Sequence, residues 1–354
     1  MRVGLEVSSL TTAHQVRGIG FYTQRLRDQL LKLAKIQADF SLVEVNGKPK
    51  TKLDLLHYPY FQPFFRTLPL FHSVPVVVTV HDLIPLKFPK HFPPGKRGKW
   101  HWHWQRLALK RAAAVITDSK ASAADILQLA GIQAEKLAVI YLAADSLFQP
   151  IKNKRLLDRL RTRYQLPAKF VLYTGDLNWN KNVVVLAQAC VDLGYPLVVV
   201  GKQAMAVGYD PDHPENQELA AFQRQAEAHP KEIIRLGFVP TGDLVGLYNL
   251  ATCCAQPSRA EGFGLPVLEA MACGCPVVTA KTTSLAEIAG SAALLVDPTK
   301  PQELTKALHT MWQRVGVRRR LTSLGLKQAA QFSWEKTAQE TFSVYQKVYH
   351  PDRG

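Results

Sequence analysis

The feature that most constrains this chain is an alternation, run through twice, of short apolar β-rich runs with segments of helical period. In the first half the runs read MRVGLEV, FSLVEV, LDLLHY, VPVVVTV, AAVITD and KLAVIY. In the second they read KFVLYTG, YPLVVVG, IIRLGFV, ATCCAQ, CPVVTA and AALLVD. Strands buried on both faces read as nearly continuous Val/Ile/Leu runs, so the pattern predicts an α/β protein with parallel sheets covered by helices. Helical stripes such as Tyr22, Leu26, Leu30 and Leu33 lie between the runs. The charged, Pro-flanked stretch IKNKRLLDRLRTRYQLP separates the two series. It sets the expected domains at 1–165 and 166–332. In open parallel sheets ligands bind outside the carboxyl ends of the strands, and two such domains facing each other would place a cleft there.

The net charge is +16, and residues 1–150 hold 20 Lys and Arg against 10 Asp and Glu. Such an excess calls for nucleic acid, an anionic membrane surface or a polyphosphate ligand. No helix-turn-helix, zinc module or RNA-binding aromatic signature accompanies it, which argues against nucleic acid. MRVGLEVSSL alternates like a strand with no apolar signal core behind it, and the stretch 263–280 is broken by Gly264, Pro266, Glu269, Gly274 and Pro276. A cytoplasmic chain, peripheral on the inner face of the plasma membrane if bound there, is the expectation. The cysteines at 190, 253, 254, 273 and 275 lack the spacing of a zinc knuckle and read as packing residues, with no metal site.

The most informative segment is PSRAEGFGLPVLEAMACGCPVV, residues 257–278. A loop holding Glu261, Gly262 and Gly264 runs into a short helix with Pro266 in its first turn and Gly274 as its stop. Glycines let a backbone approach a ligand, and a helix start favours anionic oxygens. Glu261 and Glu269 then offer carboxylates to hydroxyl pairs, which a sugar and a ribose carry. A second such loop, VRGIG, opens a helix after the first strand; a tight turn would read the same way.

The segment EGFGLPVLE resembles the signature of the retaining glycosyltransferases of family 4, which have the GT-B fold of two Rossmann-like domains. VRGIGFYTQRL, VVVTVHDLIPLKFP, AAVITDSKASAADI, YTGDLNWNKN and LGFVPTGDLVGLYNLA resemble further family segments in the same order. The resemblance implies that Glu261 binds the transferred sugar, beside the amides of Gly262, Phe263, Gly264 and Leu265. It gives Glu269 the ribose, Lys181 the diphosphate, the segment around Val239 the base, and Gly18 and Gly20 the closure over the phosphates. His81 would line the site beside the donor sugar as a catalytic residue together with Glu261 and Lys181, while His57 is a weaker acceptor-side candidate. From the residues alone, His81 could equally be satisfied by Asp82. Asp118 and Ser119 read as helix caps. Many family members carry an arginine where this chain has Asp176 or Asn180, which leaves Lys202, Arg259 and Arg17 as substitute cations.

Membership would imply retention of configuration, no essential metal and no cofactor beyond a GDP- or UDP-sugar donor. D-P-D at Asp210–Asp212 is not at a strand end. The amino-terminal half resembles mannosyltransferases, which points to GDP-mannose, with UDP-hexoses as the alternative and a glycan or lipid-linked acceptor. A nucleotide-sugar epimerase or phosphorylase could share the architecture. A terminal helix Ser333–Tyr349, with Trp334, Ala338, Phe342 and Tyr345 on one stripe, is expected to complete the first domain through residues 333–354.

The segment between Asp82 and Asp118 holds eight basic and no acidic residues, interleaved with Phe88, Phe92, Trp100, Trp102 and Trp104. Trp100, Trp104, Leu107 and Arg111 form one helical stripe that fits a core-facing side, with Trp102 off it. The cations and remaining aromatics suit an anionic lipid surface.

Overall fold

In the computed structural model, which describes residues 1–11, 18–47 and 51–350, all twelve apolar runs become strands. The first six are β1 (Arg2–Glu6), β2 (Ser41–Val45), β3 (Leu55–Tyr58), β4 (Val76–Thr79), β5 (Ala114–Thr117) and β6 (Leu137–Val139). They form one parallel sheet in the order β2-β1-β3-β4-β5-β6. The second six are β7 (Val171–Thr174), β8 (Leu197–Val200), β9 (Ile233–Gly237), β10 (Cys253–Gln256), β11 (Val277–Ala280) and β12 (Ala293–Val296). Their parallel order is β12-β11-β10-β7-β8-β9. Every residue of β4, β5, β7, β8, β10 and β11 is buried, so these strands show no polar alternation. The strand order reverses between β1 and β3 in the first sheet and between β7 and β10 in the second. Ligand crevices open at the carboxyl edge of such switch points.

Contacts divide the chain into one unit of Met1–Ala143 with the segment from Ser333, and another of Ala144–Phe332. The boundary therefore falls after Ala143, not after residue 165. The helix Lys154–Arg163 lies at the surface of the second unit, where Leu160 is buried and Arg163 pairs with Asp243 at 2.8 Å. Just ahead of it, Ile151 N donates to Asn249 Oδ1 at 2.7 Å. Its charge, which reads as a linker, is the solvent side of an amphipathic helix.

The terminal helix spans Trp334–Tyr349, with Ser333 capping it through Lys336 N. Tyr345 is fully buried and its hydroxyl lies 2.6 Å from His57 Nδ1, while His57 Nε2 lies 2.9 Å from Thr79 Oγ1. Tyr22 OH shares the same Thr79 hydroxyl at 2.9 Å, and Phe342 rests on Phe40 at 4.8 Å between rings. His57 is thus a buried structural residue and not an acceptor-side group. Burial pushes its pKa down to about 3, so the ring is neutral and joins the helix to β3 and β4.

The helix Gly95–Arg111 reverses the expected facing of its tryptophans. Trp100 is 49% exposed, Trp104 39% and Leu107 39%, whereas Trp102 packs on the core with Ala108 and Leu109. Gln105 decides the orientation: its buried amide accepts from Leu68 N at 2.9 Å and donates to Leu68 O at 2.7 Å. A buried amide satisfied on both sides belongs inside, and the Trp100–Trp104–Leu107 stripe is left at the surface. All five cysteines are buried, with Cys253 and Cys254 inside β10.

Candidate active site

At the switch point of the second sheet, the loops that follow β7 and β10 are stitched together. Arg259 N donates to Asn180 O at 2.7 Å, and Asn180 Nδ2 donates to Ala260 O at 3.0 Å. Asn182 Nδ2 bridges Pro257 O and Pro298 O at 3.1 and 3.0 Å. Asn182 holds the left-handed conformation, φ 59°, which asparagine tolerates better than most residues. It ends the turn Trp179–Lys181 and so aims Lys181. Asn180, at a position where family members often carry arginine, serves here as a clamp between the loops.

The result is an ion pair between residues 80 positions apart. Lys181 Nζ donates to both Glu261 carboxylate oxygens at 2.8 Å. Ser258 Oγ donates to Glu261 Oε1 at 2.7 Å, and Ser284 Oγ holds the Glu261 carbonyl at 3.0 Å. Lys181 retains 23% of its side-chain exposure and Glu261 12%, so a ligand can reach both. Arg259 is fixed beside them: its guanidinium donates twice to Asn182 Oδ1, at 3.0 and 2.6 Å, and lies 5.1 Å over Trp179. Lys202, after β8, sits 5.5 Å over the Phe238 ring. Arg17 lies outside the described residues.

Two glycines here are required, one by backbone contact and one by its backbone conformation. A Cβ on Gly201 would stand 2.2 Å from Gly175 O, where the ends of β7 and β8 meet backbone to backbone. Gly264 has φ +106°, and a Cβ there would stand 2.5 Å from Leu285. Gly264 caps the helix Leu265–Ala272, with Pro266 in its first turn. Gly262, Phe263 and Gly264 are buried and Leu265 partly so; the Phe263 ring meets Phe332. Val239 is also buried, which leaves only its backbone to offer a ligand.

Glu269, in the second turn of this helix, accepts from Tyr248 OH at 3.0 Å, and Tyr248 in turn meets Thr174 Oγ1 at 2.8 Å. Burial pushes its carboxyl up to about 7, against the Tyr248 hydrogen bond and with help from the Asp145 charge. If Glu269 binds ribose hydroxyls as a carboxylate, nucleoside diphosphate affinity should rise as pH climbs through about 7. Below that pH the group carries a proton and loses its acceptor strength. Calorimetric titration between pH 6 and 8 should show a steeper rise in the wild type than in Glu269→Gln, which keeps only the titration of the diphosphate's own terminal phosphate; equal slopes would remove Glu269 from the site.

On the first sheet, Gly18 and Gly20 open the helix Gly18–Ile36, whose Tyr22 meets the His81 ring edge-on at 4.7 Å. His81 follows β4 and is not held by its neighbour Asp82, which instead accepts from Ile84 N at 3.0 Å. Its partner is Asp118 at the end of β5: Nδ1 lies 2.6 Å from Asp118 Oδ2 and Nε2 3.2 Å from Pro59 O. Asp118 is therefore no cap; Ser119 alone caps the next helix, through Ser122 N. Burial works against charge on His81, but the Asp118 carboxylate and hydrogen bond, Asp82 and the Pro59 carbonyl outweigh it and raise its pKa. The Pro59 carbonyl only accepts, so Nε2 donates to it, while Nδ1 faces the buried Asp118 carboxyl, whose own pKa burial raises; the ring is 18% exposed. Spacing could not reveal this pair: 37 residues separate its members, and only adjacent strand ends bring them together.

Two Rossmann-like sheets with these loops define the fold of GT-B glycosyltransferases. The chain resembles sucrose-phosphate synthase from Thermosynechococcus elongatus with a TM-score of 0.76 at 19% identity, over 99% of this chain and 100% of that one. Residues 12–146 match the family model described as Glycosyltransferase Family 4, and residues 158–327 that of Glycosyl transferases group 1. The chain belongs to glycosyltransferase family 4. It is 32% identical over 278 residues to the O-antigen chain mannosyltransferase B of Escherichia coli, covering 76% of this chain and 69% of that protein. It is 29% identical over 267 residues to the serotype-specific mannosyltransferase WbdA of Escherichia coli. That match takes in 74% of this chain but only 32% of WbdA.

Proposed function

We propose that this glycosyltransferase moves a mannosyl unit, with retention and without a metal, from GDP-mannose to a glycan or lipid-linked acceptor. The observation that carries the reading is the Lys181–Glu261 pair at the second sheet's switch point. A diphosphate leaving group needs a cation, and Lys181 with the nearby Arg259 supplies positive charge without a metal. Glu261 stands where it can hold the sugar as positive charge develops at its anomeric carbon. The acceptor then attacks from the face that the diphosphate leaves. The names of the two Escherichia coli relatives support mannose as the sugar. UDP-hexoses are the alternative donors. A thermal-shift panel of GDP, UDP and their sugars tests the donor, since a bound ligand raises stability by mass action. Stabilisation by UDP-glucose but not by GDP-mannose would overturn the mannosyl assignment.

No helix among the described residues is long and apolar enough to cross a membrane. The helix Gly95–Arg111 instead exposes Trp100, Trp104 and Leu107 beside Lys96, Arg97 and Lys99, and its Arg111 lies 5.0 Å over the ring of the exposed Phe71. Each cation near an anionic surface contributes about 1 kcal/mol, and interfacial tryptophans add apolar burial. Co-sedimentation with anionic vesicles should fall with salt and with charge reversal at Lys96, Arg97 and Lys99. Equal, negligible binding to anionic and neutral vesicles at low salt would remove the membrane from the account.

A further inference from the structure

The carboxyl end of the second sheet holds a line of buried hydrogen bonds that ends on Glu269. Its members come from four elements. Gln256 closes β10, Thr174 closes β7, Tyr248 belongs to the helix Thr241–Leu250, and Glu269 to the helix Leu265–Ala272. Gln256 Nε2 donates to Thr174 O at 2.9 Å and to Thr174 Oγ1 at 3.4 Å. Thr279 Oγ1 of β11 holds the Gln256 carbonyl at 2.8 Å. Gln256, Thr174 and Tyr248 are buried, whereas Glu269 is only partly so.

The direction of the line follows from its last member. An ionised carboxylate only accepts, so the Tyr248 hydroxyl spends its one proton on Glu269 Oε2. Thr174 Oγ1, 2.8 Å away, must then donate to Tyr248, and it accepts in turn from the Gln256 amide. Three donors thus point the same way, and each polarises the next. Burial and the Glu269 charge push the Tyr248 phenol well above its usual range, so the proton stays on the tyrosine.

Around the carboxylate also stand Asp145 and the Cys254 and Cys273 thiols. Asp145 opposes ionisation of Glu269, and burial keeps both thiols protonated. Of these neighbours Tyr248 is the one that favours the carboxylate. A carboxylate has about four acceptor positions, so a bond to Tyr248 leaves room for two hydroxyls. Fixed in rotation before the ligand arrives, it also loses less freedom on binding.

We propose that Tyr248 is a positioning residue that locks the Glu269 carboxylate in the orientation that takes the ribose diol, with Thr174 and Gln256 setting the direction of its proton. The proposal rests on the reading that gives Glu269 the ribose. Calorimetry of the full chain with GDP, UDP and their 2′,3′-dideoxy counterparts tests it, at about pH 8, where Glu269 is ionised in the wild type. The wild type should prefer the ribonucleotide. Tyr248→Phe should weaken that ribonucleotide about tenfold and leave the dideoxy compound unchanged. Phenylalanine keeps the buried ring and its edge-on contact with Phe148 at 5.9 Å. Thr174→Val should show the same pattern with a smaller loss, and Thr174→Ser should behave as wild type. Infrared titration of the Glu269 carboxylate, read against Glu269→Gln, should find its midpoint raised by about one pH unit in Tyr248→Phe, because a bond that favours the charged form is gone. Equal wild-type affinity for the two kinds of nucleotide would overturn the ribose reading itself. With that preference intact, an equal loss on both ligands, no loss on either, or an unmoved midpoint in Tyr248→Phe would overturn the positioning role.

Discussion

Lys181→Ala is expected to lower turnover by about 10²–10³-fold, the loss typical of removing one preorganised donor from a developing charge. Nucleoside diphosphate binding should weaken with it, by about 10–100-fold, because one cation would serve both the bound and the departing phosphates. The joint loss is the diagnostic point. Lys181 sits at the tip of a turn ended by Asn182 and clamped by Asn180, so truncating its side chain leaves the loop framework in place. Calorimetry with the diphosphate and steady-state transfer rates read the two effects separately. Intact diphosphate affinity would place Lys181 off the phosphates and return the role to Arg259 or Lys202.

Glu261→Gln should separate what Lys181→Ala joins. Transfer should fall by about 10²–10³-fold, since a neutral amide cannot oppose positive charge developing on the sugar. Diphosphate affinity should hold or rise, because Lys181 is released from a carboxylate that takes hydrogen bonds to both its oxygens. Glutamine keeps the shape and a bond to Ser258 is still available, so fold stability should change little. Turnover at the wild-type level would remove Glu261 from the chemistry, and a loss confined to diphosphate binding would move it to the nucleotide.

How far this site could be read from sequence follows from which interactions are local. Glu261, Gly264 and Glu269 lie within nine residues, and glycine, proline and carboxylate positions there report backbone demands directly. The strands β4, β5, β7, β8, β10 and β11 were legible because burial on both faces writes itself as unbroken apolar runs, and the other six follow from their place in the same alternation with helical segments. Contacts that join distant segments were not. Asp118 looked like a cap because a strand-end aspartate ahead of a helix usually is one, and nothing in the chain order links it to His81. His57 resembled a site residue because it ends a strand, whereas its partner Tyr345 is 288 residues away. The tryptophan helix misled for another reason: spacing defines a stripe but not which way it faces. The buried side was set by a polar residue, Gln105, through its bonds to Leu68. The domain boundary shifted because an amphipathic helix with a single buried leucine carries the composition of a linker.

The most direct measurement of the central claim follows the anomeric proton of GDP-α-mannose by NMR, with the full-length chain, an accepted glycan and EDTA. Retaining, metal-free transfer gives release of GDP together with a new α-configured mannoside, at a rate that chelation does not change and that Glu261→Gln suppresses. A β-configured product, epimerisation of the free donor without transfer, or activity abolished by EDTA would contradict it.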